Sequence, residues 1–475
     1  MIKHAISQRW LALIILCLGE LMIVLDTTIV NVALPSIRTD LAFTETSLVW
    51  VVNAYMLTFG GFLLLGGRLG DLFGQRKLFL LGIVLFTGAS LVCGIAHSQT
   101  MLICARALQG LGGAVVSAVA LSLIMNLFTE TGERARAMGV YGFVCAGGGS
   151  VGVLLGGILT SLLSWHWIFL VNLPIGIAVY CISLRLLPAG KPQTDVRHMD
   201  IGGALSITAA LMLAVYAIVN GHEAGWLSSQ TLGMMGIAIA LFISFLVIES
   251  RVKIPLVPLR FFLMRNVSIA NIIAVLWAAA MFAWFFISAL YLQLVLGYDA
   301  MQVGLAFLPS NLIMAILSLG VSAKIVMRFG IRPPLIIGLL LGASGLGLFA
   351  FAPPDGSFLL HVLPGMVLLG LGAGIAFNPL LLAAMSDVPE AESGLASGVV
   401  NTAFMMGGAL GLAVLASAAA AMTYYLLGEG MAPLTALNNG YRSAFGLGAG
   451  AALIAAILGF AMNVKLPPAG TAIQH

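Results

Sequence analysis

Apolar residues in this chain come in long, nearly unbroken runs, and polar residues gather in short stretches between them. About 20 such residues suffice for a helix rising 1.5 Å per residue to cross a bilayer core. Fourteen runs qualify, at 10–35, 46–66, 77–97, 99–126, 138–162, 167–187, 201–220, 231–249, 267–295, 301–322, 333–352, 360–383, 395–421 and 441–463. The stretches 188–200 and 250–266 are hydrophilic connectors, and they set spans seven and eight apart from the rest.

Composition turns this pattern into a class. Charged residues make up 8% of the chain and hydrophobic ones 61%, with a mean hydropathy of +1.10. A soluble domain carries about 25% charged residues, so this is an all-α polytopic membrane protein. The net charge of +4 matters less than where the charge lies. With both termini cytoplasmic, only Arg38 and Arg442 of the 21 Lys and Arg residues fall outside, and Arg106 lies within a span. That bias sets the orientation. All five cysteines sit in apolar runs and are read as small buried residues, not as disulfides or metal ligands. The first run follows Lys3 and Arg9 and lacks a small-residue cleavage site, so it is expected to be a retained helix.

Candidate chemistry begins in the first span, LALIILCLGELMIVLDTTIVNVALP, with Glu20 and Asp26. A carboxylate in the hydrocarbon region costs roughly 2.5–3.5 kcal/mol on insertion scales and by default marks an ion or substrate pathway. The alternative for Asp26, a helix-end carboxylate satisfied by headgroups, sits poorly with Asn31 and Pro35 continuing the segment beyond it. Span four holds a lone Arg106 in LICARALQGLGG. Asp26 lies about 13 Å and Arg106 about 11 Å from the outer ends of their spans, so the two are candidate partners at similar depth. An Arg capping carbonyls between helices is the structural alternative. Glu20 lies near the middle of its span, a candidate for a substrate cation or a second proton.

Three further stretches are informative. Between spans two and three the chain reads GRLGDLFGQRK, with Gly67, Asp71, Gly74, Arg76 and Lys77. Glycines there permit a tight turn, and Asp71 can accept hydrogen bonds from bases or a helix N-terminus. Span five carries Gly148, Gly152, Gly156 and Gly157 at spacings that let helices approach closely. Next comes WHWIFLVNLPIG, from Trp165 to Gly176, with interfacial aromatics and a helix-starting proline.

The GRLGDLFGQRK loop resembles the signature loop of the major facilitator superfamily, with Leu72 where a basic residue is frequent. The Arg106–Gln109–Gly110 stretch resembles the family's fourth-helix motif. The span-five glycines match its antiporter motif, with Val153 in place of the proline. LDTTIVNVALP and the Trp165–Gly176 stretch, with His166 where Arg is common, are similar to the fourteen-spanning branch of its drug:proton antiporters. The later Tyr291–Tyr298 and Gly394–Thr402 stretches also fit, so the likeness covers nearly the whole chain.

The resemblance implies the major facilitator fold with 14 transmembrane helices, two six-helix bundles plus two inserted helices. A first bundle is expected over 1–190, connectors and inserted helices over 191–266, and a second bundle over 267–475. AKIVMRFGIR, from Ala323 to Arg332, is a degenerate echo of the Gly67 loop, as a parallel repeat would leave. The resemblance also implies proton coupling through Asp26 and Arg106, with Glu20 added from its position. Gly67, Asp71, Gly74, Arg76 and Lys77 would form a latch between bundles, Asp71 docking on the start of span thirteen.

Spans one, four, nine and twelve would line a cavity. Its candidates are Glu20, Asn31, Gln109, Trp277, Trp284, Phe285, Tyr291, Gln293 and Asn378. Aromatics there would stack on cationic ligands, or else simply pack against neighbours. Asn378–Pro379 would unwind span twelve locally.

No stretch fits a nucleotide-binding loop, the histidines lack metal spacing, and no nucleophile–base arrangement stands out, so neither an enzyme nor an ATP-driven pump is expected. The expectation is a proton-coupled exporter of hydrophobic or cationic drugs in the cytoplasmic membrane. It would work as a monomer on small molecules and protons within lipid, with no cofactor, no metal and no nucleic acid. A lipid or metabolite exporter of the same fold is the alternative, and a non-transporting membrane sensor a more distant one.

Overall fold

The computed structural model describes residues 2–128, 130–187, 200–252, 255–317, 321–389 and 392–463. The N-terminal half contains α1 (Ile2–Asp40), α2 (Glu45–Phe73), α3 (Gln75–Gly94), α4 (Gln99–Leu127), α5 (Thr131–Leu162), the single turn α6 (Trp167–Leu170) and α7 (Asn172–Leu186). Two helices follow, α8 (Ile201–Ala224) and α9 (Ser229–Arg251). The C-terminal half contains α10 (Arg265–Leu290), α11 (Ala300–Ile316), the short α12 (Ser322–Phe329), α13 (Arg332–Ala350), α14 (Leu363–Met385), α15 (Ser393–Gly428) and α16 (Pro433–Phe460). Among the described residues twelve helices are long and apolar enough to cross a bilayer. Two shorter apolar helices, Val151–Leu162 and Ala300–Ile316, fall in the fifth and tenth expected spans.

Polar residues at the connectors start these helices. Thr44 and Ser47 form a reciprocal capping box at α2, and Asp299 with Gln302 forms another at α11. Ser98 and Ser228 cap α4 and α9 in the simpler way, each hydroxyl accepting from an amide three residues on. Each cap satisfies backbone donors that would otherwise face lipid or the interior unpaired.

The two halves repeat one another. In the first, α1 packs on α5 and α7, α2 on α4, and α3 on α4 and α7. In the second, α10 packs on α15 and α16, α11 on α14, and α13 on α14 and α16. The halves meet through α2 against α15 and α5 against α11, contacts that exchange under the repeat. α8 and α9 pack on each other, and α8 also rests on α2 and α15.

The echo seen in the sequence has a structural basis. Gly74 ends α2 with φ +92°, and Gly330 ends α12 with φ +84°, both in the region that favours glycine. Two residues later Arg76 donates to Leu184 O at the end of α7, and Arg332 donates to Phe460 O at the end of α16, at 2.5 Å. Each arginine closes its half by binding the negative end of a helix.

The same register places Gly82 against Gly112 and Gly338 against Gly372, where helix backbones touch. A Cβ on Gly112 would lie 2.7 Å from Phe86 N, and one on Gly372 would lie 2.7 Å from Gly338 O.

The structure corrects two expectations. Cys104 and Cys181 are exposed on the outer surfaces of their helices, not buried. Pro379 lies inside a continuous α14 and does not unwind it. The carbonyl its ring deprives of a partner belongs to Ile375. Ser322 Oγ donates to that carbonyl at 3.4 Å, so the helix runs on.

The glycine contacts generate a stability prediction. Gly372→Val should destabilise the protein by about 1–3 kcal/mol, the scale of overpacking. Gly347→Ala, where nothing lies within 4 Å, should be neutral or gain up to about 1 kcal/mol in helix propensity. Thermal melting of the purified protein in detergent checks both, and equal melting of the two variants would refute the account.

Candidate functional site

A buried polar network in the N-terminal half centres on the Asp26 carboxylate. It is fully buried, and so are Arg106, Gln109, Ser90 and Asn172 around it. Five helices supply this network, because Asp26 is on α1, Val51 and Tyr55 on α2, Ser90 on α3, Arg106 and Gln109 on α4, and Asn172 on α7.

Arg106 Nη1 forms an ion pair with Asp26 Oδ2 and donates to Gln109 Oε1 at 2.6 Å. Its Nε donates to Val51 O at 2.8 Å, and its guanidinium carbon lies 4.4 Å from the centre of the Tyr55 ring. Gln109 Nε2 donates to Asp26 Oδ1 at 2.6 Å and to Ser90 Oγ at 2.7 Å. Asn172 Nδ2 donates to the same Oδ1 at 3.0 Å.

The two carboxylate oxygens therefore have different settings. Two neutral amides hold Oδ1, while Oδ2 is held by the cation. A proton arriving on Oδ2 competes directly with Arg106, and it leaves the amide bonds to Oδ1 intact. Arg106 keeps a place to stay when it lets go, since Val51 O and the Tyr55 ring bind it independently of the carboxylate.

Glu20, also buried, lies on α1 six residues before Asp26, about 9 Å along the axis. Its Oε2 accepts from Ser117 Oγ at 2.7 Å, and Tyr141 hydrogen-bonds to the same side chain. No basic side chain among the described residues pairs with it. Among the described residues, the hydroxyls of Ser117 and Tyr141 hold it.

The glycines of α5 explain how α1 is held so close. A Cβ on Gly148 would meet Leu21, one on Gly152 would meet Thr28, and one on Gly156 would lie 2.8 Å from Ile29 O. Gly157 faces the other way, and a Cβ on it would lie 2.8 Å from Ala300 O of α11. Val153 is buried within an unbroken α5, so its place in the motif carries no kink.

Contacts between the halves also close the side of the molecule away from the termini. Gln293 Nε2 donates to Val32 O at 2.9 Å, and Met301 N donates to Ser161 Oγ at 3.1 Å. Outside that closure lies a shallow pocket of about 570 Å³ bordered by Ser36, Asp40, Gln293 and Tyr298.

Several expected cavity residues do other work. Trp277 fills the notch at Gly342 of α13, where a Cβ would lie 2.2 Å from its ring. Tyr291 donates to Pro353 O at 2.9 Å, and Gln293 belongs to the closure just described. Asn31 folds back on Thr27 O of its own helix, and Gln109 is consumed by the Asp26 network. Trp284 and Phe285 join Phe307 in one aromatic cluster, with centroids 4.3–5.7 Å apart. Asn378 is half-buried on α14.

In the proposed latch, Arg76 ties α3 to α7 within its own half instead of bridging the halves, and Lys77 is exposed. Gly67 and Gly74 lie at the end of α2, and the side chain of Asp71 lies outside the described residues.

Sequence reasoning missed Asn172, Ser90, Tyr55, Ser117 and Tyr141. Asn172 offered one signal, a lone amide among apolar residues just before Pro174. A serine or tyrosine in an apolar helix offers none until its neighbour is known.

A family model described as the Major Facilitator Superfamily matches residues 16–412. The chain is 37% identical over 461 residues to the puromycin resistance protein pur8 of Streptomyces alboniger, covering 96% of this chain and 91% of that one. It is 39% identical to the cephamycin export protein CmcT of Amycolatopsis lactamdurans, covering 86% and 85%. In structure it resembles a bacterial homologue of the human lysosomal transporter Spinster in an inward-facing, occupied conformation, with TM-score 0.69, 15% identity and 95% and 96% coverage.

The ion pair yields a prediction about stability alone. Arg106→Gln leaves a buried carboxylate without its cation, at an expected cost of about 3–5 kcal/mol. Neutralising both members, in Asp26→Asn with Arg106→Gln, should regain most of that loss. Asn172→Leu, which removes one donor, should cost about 1–3 kcal/mol. Thermal melting orders the three, and a double variant that melts no higher than Arg106→Gln would show that the pair does not organise the site.

Proposed function

The chain belongs to the major facilitator superfamily, and we propose that within it the protein is a proton-coupled antiporter. It exports hydrophobic or cationic drug-like molecules across the cell membrane, with both termini cytoplasmic. The observation that carries the reading is the Asp26 carboxylate, fully buried, with one oxygen held by two neutral amides and the other by a releasable cation. Relatives that include a puromycin resistance protein and a cephamycin export protein support the export of antibiotic-like molecules.

In this reading the closure by Gln293 and Ser161 shuts the outer side. When it opens, a proton from outside reaches Asp26 Oδ2 and displaces Arg106, which stays on Val51 O and Tyr55. The neutral carboxyl then allows the halves to rearrange toward the cytoplasm. There the proton leaves, and Arg106 takes back the carboxylate. Protonation leaves Arg106 without its counter-ion, and the Val51 carbonyl and the face of the Tyr55 ring hold its charge through the step. The proton gradient is the energy source, so the cycle needs no cofactor, and one chain suffices.

Glu20 has a different place in the cycle. Held by hydroxyls, and with no basic partner among the described residues, it offers its carboxyl group to a substrate cation.

Two measurements test this. Asp26→Asn should still insert and bind substrate but lose export driven by a pH gradient in proteoliposomes, and Arg106→Ala should fail in the same assay. Substrate-induced proton release that stays at the wild-type level in Asp26→Asn would make Asp26 structural. Glu20→Gln should weaken export of cationic dyes by roughly 1–3 kcal/mol, the scale of a hydrogen bond to a charged group, with neutral compounds little affected. An equal loss for both classes would assign Glu20 to coupling or folding instead.

A further inference from the structure

The two halves leave α8 and α9 over, and α8 is placed where the halves meet. Its residues Ala204, Thr208, Val215 and Val219 fall on one helical face and are each at most 5% exposed. α8 rests on α2 and α15 at once, one helix from each half. α9 packs on α8 and leaves Leu232, Ile239 and Ile243 exposed.

The contacts of this insert run the depth of the seam. On the side away from the termini, the Trp50 ring of α2 lies 6.4 Å from the Tyr216 ring of α8. Near it, Ser417 Oγ of α15 donates to Ile218 O of α8 at 3.3 Å. Further along, Thr208 Oγ1 fills the space that Gly61 of α2 leaves by having no side chain. At the cytoplasmic end, residues 255–264 continue the grip after α9. Leu256 packs with Ala204 and with Leu65 of α2. Phe261 is fully buried in a cluster with Ala396 and Val399 of α15, and Leu64 of α2 packs against the same cluster. Arg260 beside it forms an ion pair with Glu392 at the start of α15.

Beneath α8 the halves share a bond that water does not reach. Asn53 Nδ2 of α2 donates to Ala409 O of α15 at 2.8 Å, and both residues are fully buried. Parting the helices there would leave the amide unpaired in an apolar interior. The seam between α5 and α11 differs. Its hydrogen bond from Met301 N to Ser161 Oγ is exposed at the rim, so water can replace it when it breaks. The insert lies on the opposite seam.

We propose that α8 and residues 255–264 form a strap that keeps the α2–α15 seam assembled through the transport cycle, so that the halves pivot on that seam and part along α5 and α11. The inference rests on the export reading above and adds to it the line along which the protein opens.

The test fastens each seam in turn, in a chain whose native cysteines are replaced by alanine. One protein carries Trp50→Cys, Tyr216→Cys, Ile218→Cys and Ser417→Cys. A short, membrane-permeant bifunctional methanethiosulfonate then ties α2 to α8 and α8 to α15. Any pairing between helices closes the same bridge, and peptide mass spectrometry confirms it. The other protein carries Ser161→Cys and Met301→Cys and is linked with the same reagent. Export driven by a pH gradient is read in proteoliposomes before linking, after linking and after reduction. The first protein should export equally well in all three states. The second should lose export on linking and regain it on reduction.

Loss of export in the linked first protein, or its retention in the linked second, would overturn the strap. If the substitutions themselves silence a protein, spin-label distances across each seam replace the export assay. Labels across α2 and α15 should hold one distance on acidification, while labels across α5 and α11 should move apart. A shift across α2 and α15, or none across α5 and α11, would overturn the strap equally. Wild-type protein that exports nothing in the same vesicles would overturn the export reading instead.

Discussion

A carboxylate buried in an apolar interior must find a cation and enough donors, or the helix that carries it does not stay where it is. Asp26 meets that requirement with groups from α4 and α7, which α2 and α3 hold in turn, and much of the N-terminal half is arranged accordingly. Arg106 is fastened to α2 by Val51 O, Gln109 to α3 by Ser90, and Asn172 brings in the start of α7. Each donor answers a valence of the carboxylate and at the same time sets the spacing of a helix pair. Electrostatics and packing are therefore one constraint here, and a change of charge on one oxygen is felt across five helices.

Close approach of backbones makes that geometry possible. Glycines on α5 bring α1 within contact of its carbonyls, and glycine pairs between α3 and α4 and between α13 and α14 do the same in each half. Lipid offers no hydrophobic drive for helices to associate, so dispersion contacts between small residues carry much of the association. The arginines at the starts of α3 and α13 finish each bundle by binding the carbonyl end of its last helix. Repetition of these devices gives two similar frames, and their unlike contents give them different tasks. The first frame holds two buried carboxyl groups and an arginine, while the second holds rings, amides and hydroxyls.

That division suits the proposed exchange of a proton for a ligand. Asp26 and Arg106 both belong to the first frame, so their contact does not depend on how the two frames meet. The interface between frames is made of α2 with α15 and α5 with α11, and on the side away from the termini it is closed by a few neutral hydrogen bonds. Neutral contacts of this kind are weak enough to part when the halves rock, since each contributes about 0.5–1.5 kcal/mol net.

The places of the membrane-crossing helices were legible in the sequence, because a 20-residue apolar run has few alternatives in a bilayer, while α6, α12 and the reach of α1 and α15 past their apolar runs were not. Asp26, Glu20 and Arg106 were legible too, since a charge inside such a run is conspicuous by its cost. Depth made Asp26 and Arg106 candidate partners, because both lie a similar distance from the end of a straight rod, and the structure joins them. Rotation about that rod was not legible. It decides that Trp277 turns into Gly342, that Tyr291 reaches Pro353 and that Gln293 seals the outer side, although all three shared one span with Trp284. It also decides that Asn172, Ser90 and Tyr55 reach the charged pair. Sequence determined which groups the interior must contain and how deep they lie, because hydropathy and helical rise are properties of one chain segment. Only the tertiary structure decided which of them meet, because that depends on the facing of two helices, and no single segment encodes it.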